Sequence, residues 1–226
     1  MLYLLDTANI EQIKRMMDLY PLTGVTTNPT IIAKEKRDFF AILNDIRSVI
    51  GPDKMLHVQL LSLNAEDMVE EARNLQQRVD GELYIKIPTI PEGIKAMKLL
   101  NKEEMKITAT AIFTANQALM AAMAGAHFVA PYVNRIDNIS GKGVEVVTQI
   151  VTLFKNYQLN TKVLAASFKN IQQVLDVGIA GSHSVTVNPE ILNQIVAHPL
   201  TDASVSQFTK DWEGVYGAVP CLAERP

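Results

Sequence analysis

Short runs of apolar and β-branched residues recur along the whole chain, each followed by a stretch in which apolar positions return every three or four residues. The runs are Leu2 to Leu5, Gly24 to Thr27, Met55 to Leu61, Leu83 to Ile87, Ile107 to Ile112, Phe128 to Val133, Lys162 to Ser167 and Ser184 to Val187. Their spacing of roughly 20 to 35 residues is that of βα units. The stretches between them are amphipathic. In Ala65 to Gln77, Met68, Ala72 and Leu75 mark one face while Glu66, Asp67, Glu70 and Arg73 mark the other, as expected of a helix with one side on a core. Strands alternating with helices predict a parallel sheet, because parallel neighbours need a crossover between them.

Eight such units in about 200 residues fit a closed (β/α)8 TIM barrel, an α/β fold. An open doubly wound sheet is the alternative, but its Gly-rich first turn is missing. The first run leads into Asp6-Thr7-Ala8-Asn9, with no GxGxxG near it. The barrel is therefore expected. No Pro/Gly/Ser-rich linker or low-complexity segment divides the chain, so residues 1–226 read as a single domain. One segment is surplus: residues 202–217, after the eighth unit, carry Val205, Phe208, Trp212, Val215 and Tyr216 at helical spacing. An apolar face with the chain's one tryptophan needs a cover. The helix either folds back on its own barrel or packs on a neighbouring subunit, and the second makes the protein an oligomer.

Composition narrows the function classes. The chain has 226 residues, 48% hydrophobic and 20% charged, an ordinary globular balance. Its formal net charge is −3, and it shows neither the basic stripe nor the aromatic-plus-basic interleaving of nucleic-acid binders. Cys221 is the only cysteine, which excludes an internal disulfide framework and a cysteine metal cluster. The start reaches Asp6 before any long apolar stretch, unlike a signal peptide, and no run approaches the roughly 18 apolar residues of a membrane span. The expected compartment is the cytoplasm.

In a barrel, chemistry sits at the C-terminal ends of the strands. The chain places Asp6, Thr26, Thr27, Asn28, Gln59, Lys86, Thr110, Tyr132, Asn134, Arg135 and Ser167 at or just inside these ends. Lys86 is the most informative of them. Of the 14 lysines it alone stands in the middle of an apolar strand, Leu83-Tyr84-Ile85-Lys86-Ile87-Pro88. A lysine snorkelling to water is the commoner use of such a residue, yet every strand of a closed barrel is central and covered by helices. Burial disfavours the ammonium and lowers its pKa, and a lysine so shifted is a nucleophile for carbonyl substrates. His57, His127, His183 and His198 form no HxH or HxxxH pair, so no zinc site is expected. His57 shares a face with Gln59 and reads as a hydrogen-bonded interior histidine. No GxSxG elbow is present, and Gly178 and Gly181 read as turn glycines below the eighth strand. Arg135, whose fork can bind two oxygens at once, is the expected phosphate anchor.

At these residues the chain resembles a known family. Gly24-Val25-Thr26-Thr27-Asn28-Pro29-Thr30-Ile31-Ile32 is similar to the signature after the second strand of transaldolases. Ile85-Lys86-Ile87-Pro88 with Glu92-Gly93-Ile94 resembles the motif around their Schiff-base lysine. Ala130-Pro131-Tyr132-Val133-Asn134-Arg135-Ile136-Asp137 and Val163-Leu164-Ala165-Ala166-Ser167-Phe168 also match, and the likeness runs from Leu4 to Asp211-Trp212-Glu213. It is the short transaldolase subfamily. Within it, transaldolases usually carry Glu and Phe where this chain has Gln59 and Tyr132, the pair that resembles fructose-6-phosphate aldolases. Ile90 departs from the small hydroxyl residue often found there.

The resemblance implies a class I aldolase that cleaves fructose 6-phosphate to dihydroxyacetone and glyceraldehyde 3-phosphate through a Schiff base on Lys86, and catalyses the reverse addition. The alternatives are a transaldolase carrying dihydroxyacetone to erythrose 4-phosphate and an idle sugar-phosphate-binding barrel. Tyr132 would be the acid/base, with a water held by Gln59 and Thr110. Asp6 and Asn28 would bind the hydroxyls of the dihydroxyacetone part, Asp6 also assisting proton transfer; Thr27 would belong to the substrate-binding set, and Arg135 and Ser167 would bind the phosphate. Plainer roles compete: Thr110 as a β-branched strand residue, Asn28 as the cap before Pro29, Tyr132 as a core aromatic. No metal or organic cofactor is implied, nor a nucleic-acid or membrane partner. The family likeness further implies a homo-oligomer, a decamer of two pentameric rings in which the C-terminal helix reaches a neighbour.

Overall fold

A computed structural model of the chain describes residues 1–217; Cys221 lies outside them. In chain order the elements are β1 (Leu2–Asp6), α1 (Ile10–Leu19), β2 (Gly24–Thr26), α2 (Pro29–Lys34), α3 (Phe39–Ile50), β3 (Met55–Gln59), α4 (Ala65–Arg78) and β4 (Leu83–Pro88). They continue as α5 (Pro91–Asn101), β5 (Ile107–Ile112), α6 (Ala115–Met123), β6 (Phe128–Pro131), α7 (Val133–Asp137), α8 (Gly143–Asn156) and β7 (Lys162–Ala165). The last are α9 (Ile171–Ile179), β8 (Ser184–Val187), α10 (Pro189–Val196) and α11 (Pro199–Tyr216). All eight strands are parallel and form a closed barrel in sequence order, with β8 pairing back onto β1. The fold is the (β/α)8 TIM barrel that the alternating pattern predicts.

The eight runs match the eight strands, and the differences lie at their C-terminal ends. The second strand stops at Thr26, because Asn28 turns the chain into α2 and caps it, its Oδ1 accepting from the Ile31 N–H at 3.0 Å. The sixth stops at Pro131: Tyr132 keeps only an isolated bridge to Ala166, and Val133 opens α7 instead of ending the strand. The third ends at Gln59 and the seventh at Ala165. The polar residues beyond these ends therefore stand on βα loops or, for Asn134 and Arg135, on the short helix α7, not on strands. Gly181, at φ +91°, is a turn glycine as expected, but Gly178 lies inside α9.

The helices bury the faces their patterns assign. Ile13 and Met16 of α1, Ile42, Leu43 and Ile46 of α3, and Met68, Ala72 and Leu75 of α4 are at most 2% exposed. Each large apolar side chain so buried stabilises the fold by roughly 1.5–3 kcal/mol. Inside the barrel Leu4, Phe128 and Leu164 pack together, with Met55 and Tyr84 against them, so the lower interior is filled. Gly93 lets α5 approach the end of β4, since a Cβ there would overlap the Pro88 carbonyl oxygen.

The chain divides into two compact units, Met1–Ile191 and a second beginning at Leu192. In the second, α11 begins at Pro199, three residues before the expected Asp202, with Pro at the first helical position and His198 as its cap. No residue of α11 is buried, and Phe208 and Val215 are 70% and 73% exposed. Among the described residues no helix is long and apolar enough to cross a membrane.

Candidate active site

At the C-terminal end of the barrel a cavity of about 310 Å³ is lined by Asp6, Thr26, Asn28, Gln59, Lys86, Thr110, Tyr132, Arg135, Ser167 and Thr186, with Pro29, Thr30, Ala130, Leu164 and Ala166 completing the wall. It unites eight of the nine site residues proposed from the sequence. Thr27 is the exception. Its side chain is fully buried and its amide and hydroxyl both donate to the His57 carbonyl, at 2.9 and 3.0 Å. Thr27 meets the site through its backbone: its carbonyl accepts a hydrogen bond from Lys86 Nζ at 2.5 Å.

Lys86 is 6% exposed on an inward position of β4, between Gln59 of β3 and Thr108 of β5 in the sheet register. Burial lowers its pKa, and the Asp6 carboxylate opposes that in part. Asp6 is half-buried at the cavity wall, and burial raises its pKa against the pull of Lys86, the Thr26 hydroxyl and Arg135. Desolvation thus drives both groups toward neutrality. A buried amine that sheds its proton readily can add to a carbonyl carbon.

Tyr132 stands just past β6, its Oη 2.9 Å from Thr110 Oγ1. Phe113 meets its ring edge-on at 5.7 Å, and the Arg135 guanidinium lies 4.7 Å above it. The two contacts hold the phenol's ring while its hydroxyl faces the cavity. Thr110 is aimed by a distortion of β5: Ala111 adopts φ +57°, and the pairing with β6 slips between Ala109 and Ile112. Ser167 too sits at positive φ, +62°. A left-handed non-glycine residue costs on the order of 1–3 kcal/mol and persists only where its surroundings impose it. Asn28 both caps α2 and lines the cavity, so the plain and the functional readings of it hold together.

Sequence reasoning missed Thr186 and did not assign Thr26 a site role. The available signal for Thr186 was the alternation Ser184-Val185-Thr186-Val187, which puts one polar set inward. Thr26 Oγ1 lies 2.7 Å from Asp6 Oδ1 and 2.6 Å from Thr186 Oγ1.

His57 is an interior histidine, as expected. It is fully buried, its Nδ1 2.9 Å from Thr108 Oγ1 and its ring stacked on Tyr84 at 4.6 Å. Burial first, and then the charge on Lys86, hold its pKa well below the usual value. The native imidazole therefore stays neutral where the unfolded one takes a proton, so stability falls as pH drops below about 6.5, by up to about 1.4 kcal/mol per pH unit for one such group. His57→Phe keeps the ring stack and is expected to flatten this slope, read from urea midpoints at about pH 7.5 and about pH 5.5. Asp6, Lys86, His127 and His183 are common to both chains and cancel. Equal slopes would refute a neutral His57.

The family model described as Transaldolase/Fructose-6-phosphate aldolase matches residues 3–219. A probable transaldolase of Thermoanaerobacter sp. is 42% identical over 212 residues, covering 94% of this chain and 97% of the relative. One of Alkaliphilus metalliredigens is 42% identical over 212 residues, covering 93% and 97%. Among solved structures, two flavocytochrome b2 variants superpose with TM-scores of 0.60 and 0.59 at 12% identity, over 83% of this chain. The chain spans only 56% and 57% of theirs, and that likeness shows the barrel alone. With the family model matched over nearly the whole length and 42% identity to full-length relatives, the chain belongs to the transaldolase/fructose-6-phosphate aldolase family.

Proposed function

We propose that this enzyme is a class I aldolase that cleaves fructose 6-phosphate to dihydroxyacetone and glyceraldehyde 3-phosphate. The observation that carries the reading is the phenol of Tyr132, hydrogen-bonded to Thr110 in the cavity that holds Lys86, with the amide Gln59 where a carboxylate could have stood. A phenol in that place can serve as the acid/base for the bound sugar, in the role a carboxylate would otherwise fill.

In this mechanism the neutral amine of Lys86 adds to the C2 ketone, and the carbinolamine loses water to give an iminium ion. Tyr132, aided by a water between Gln59 and Thr110, takes the proton of the C4 hydroxyl. The C3–C4 bond breaks, its electron pair flows into the iminium nitrogen, and glyceraldehyde 3-phosphate leaves. The enamine regains a proton at C3, and hydrolysis frees dihydroxyacetone and Lys86. Asp6 and Asn28 bind hydroxyls of the three-carbon unit, and Arg135 and Ser167 bind the phosphate at the mouth.

A second reading, transfer of the dihydroxyacetone unit to erythrose 4-phosphate, is favoured by the names of the relatives. An assay without acceptor separates the two. Release of glyceraldehyde 3-phosphate and free dihydroxyacetone from fructose 6-phosphate alone is the expected result, and strict dependence on erythrose 4-phosphate would overturn it. The exposed Val205, Phe208, Trp212, Val215 and Tyr216 of α11 support a contact with neighbouring copies. Light scattering is expected to find a multi-subunit assembly for the full chain and a smaller species for one ending before Pro199. Equal subunit numbers would remove α11 from the interface.

A further inference from the structure

Three side chains from three adjacent strands form a line across the inner face of β1. Thr26 of β2 is level with Asp6 in the sheet register, and Thr186 of β8 is level with Leu4, two residues below Asp6. The hydroxyls of Thr26 and Thr186 meet at 2.6 Å, and Thr26 Oγ1 meets Asp6 Oδ1 at 2.7 Å. Both threonines are nearly sealed from solvent, at 1% and 5% exposure. A hydroxyl carries a single proton, and an ionised carboxylate can only accept. Thr26 must therefore donate to Asp6, which leaves its oxygen as acceptor toward Thr186. With Asp6 ionised, the direction of the whole chain is fixed: Thr186 donates to Thr26, and Thr26 donates to Asp6.

We propose that Thr186 is a positioning residue for Asp6, holding the Thr26 hydroxyl in the one rotation that delivers its proton to the carboxylate. Without Thr186 the Thr26 hydroxyl keeps its place but loses the donor that orients it and polarises its O–H bond. The ionised form of Asp6 is then stabilised less, and its proton affinity rises further. The charged groups facing Asp6 from elsewhere, Lys86 on β4 and Arg135 on α7, pull the other way and are untouched by a change at Thr186. The consequence for turnover rests on the aldolase reading, in which Asp6 binds the three-carbon unit as a carboxylate; the hydrogen-bond chain itself does not.

The test compares Thr186→Val, which keeps the shape and removes the donor, with Thr186→Ser, which keeps the donor. In full-length protein labelled with ¹³C at aspartate carboxyls, the Asp6 resonance is identified by its loss in Asp6→Asn and titrated. Thr186→Val is expected to raise the Asp6 midpoint by a few tenths to about one pH unit, and Thr186→Ser to leave it unchanged. Turnover on fructose 6-phosphate should fall severalfold in Thr186→Val, with KM little altered, and recover in Thr186→Ser. An unmoved midpoint in Thr186→Val, or an equal shift in both variants, would overturn the proposal. If Thr186→Val fails to fold, Thr26→Val takes its place in showing that the hydroxyl line sets the Asp6 midpoint, and a Thr186→Ser chain that titrates as that variant does would again refute it. A shifted midpoint in a protein that never cleaves the sugar would leave the relay standing and defeat the aldolase reading instead.

Discussion

Lys86→Met is expected to lower cleavage of fructose 6-phosphate by at least about 10⁴-fold, the scale on which loss of a covalent nucleophile falls. Methionine keeps an unbranched stem in the apolar setting of β4 while removing the amine, so the loss reports chemistry and not packing. Reduction with borohydride in the presence of the sugar should modify the native chain at Lys86 alone and leave the variant unmodified. Stability is expected to change little. The fold loses the hydrogen bond to the Thr27 carbonyl, worth about 1 kcal/mol net, but it is also relieved of a buried ammonium whose burial opposes its charge. An adduct at any of the other lysines, or a variant that still turns over, would end the Schiff-base mechanism. The absence of any adduct in the native chain would favour a barrel that binds the sugar without reacting.

Tyr132→Phe is expected to lower turnover by roughly 10² to 10⁴, the usual contribution of a general acid/base. The ring should stay where it is, because Phe113 and the Arg135 guanidinium hold its edge and face rather than its hydroxyl. The Thr110 hydroxyl loses its phenol partner but still borders the cavity, where water can replace it. Borohydride capture at Lys86 should persist in this variant, since addition of the amine precedes the step that needs the phenol. The two substitutions thus divide the reaction: one removes the bond to the substrate, the other the proton transfer that breaks C3–C4. Unchanged turnover would place the proton donor elsewhere in the cavity.

The helix and strand order was legible because each element repeats its own apolar period, and the eight runs needed no information from one another. Lys86 was legible for a related reason: one charge in an otherwise apolar strand contradicts the local pattern. The strand ends were less so. Gln59 ends its strand and Tyr132 reads as part of one, but Val133 and Leu61 do not continue the sheet, since a βα loop begins wherever a cap or a short helix wins over pairing. Thr27 illustrates the same limit. Adjacent threonines in Thr26-Thr27 point to opposite sides of a strand, and which one faces the cavity depends on register, not on residue type. Its neighbour Thr26 took the cavity side, and Thr27 contributes a carbonyl instead.

The chain's local chemistry determined its eight strands, the closed barrel they build, its family and the one lysine that stands in the middle of an apolar strand. What only the tertiary structure decided is which hydroxyls meet: Tyr132 with Thr110, His57 with Thr108, and Thr186 with Thr26 and through it Asp6. The reason is closure. Pairing β8 with β1 brings Thr26 and Thr186, 160 residues apart in the chain, to 2.6 Å. A contact of that kind is set by the stagger of strands around the ring, which no stretch of sequence encodes alone.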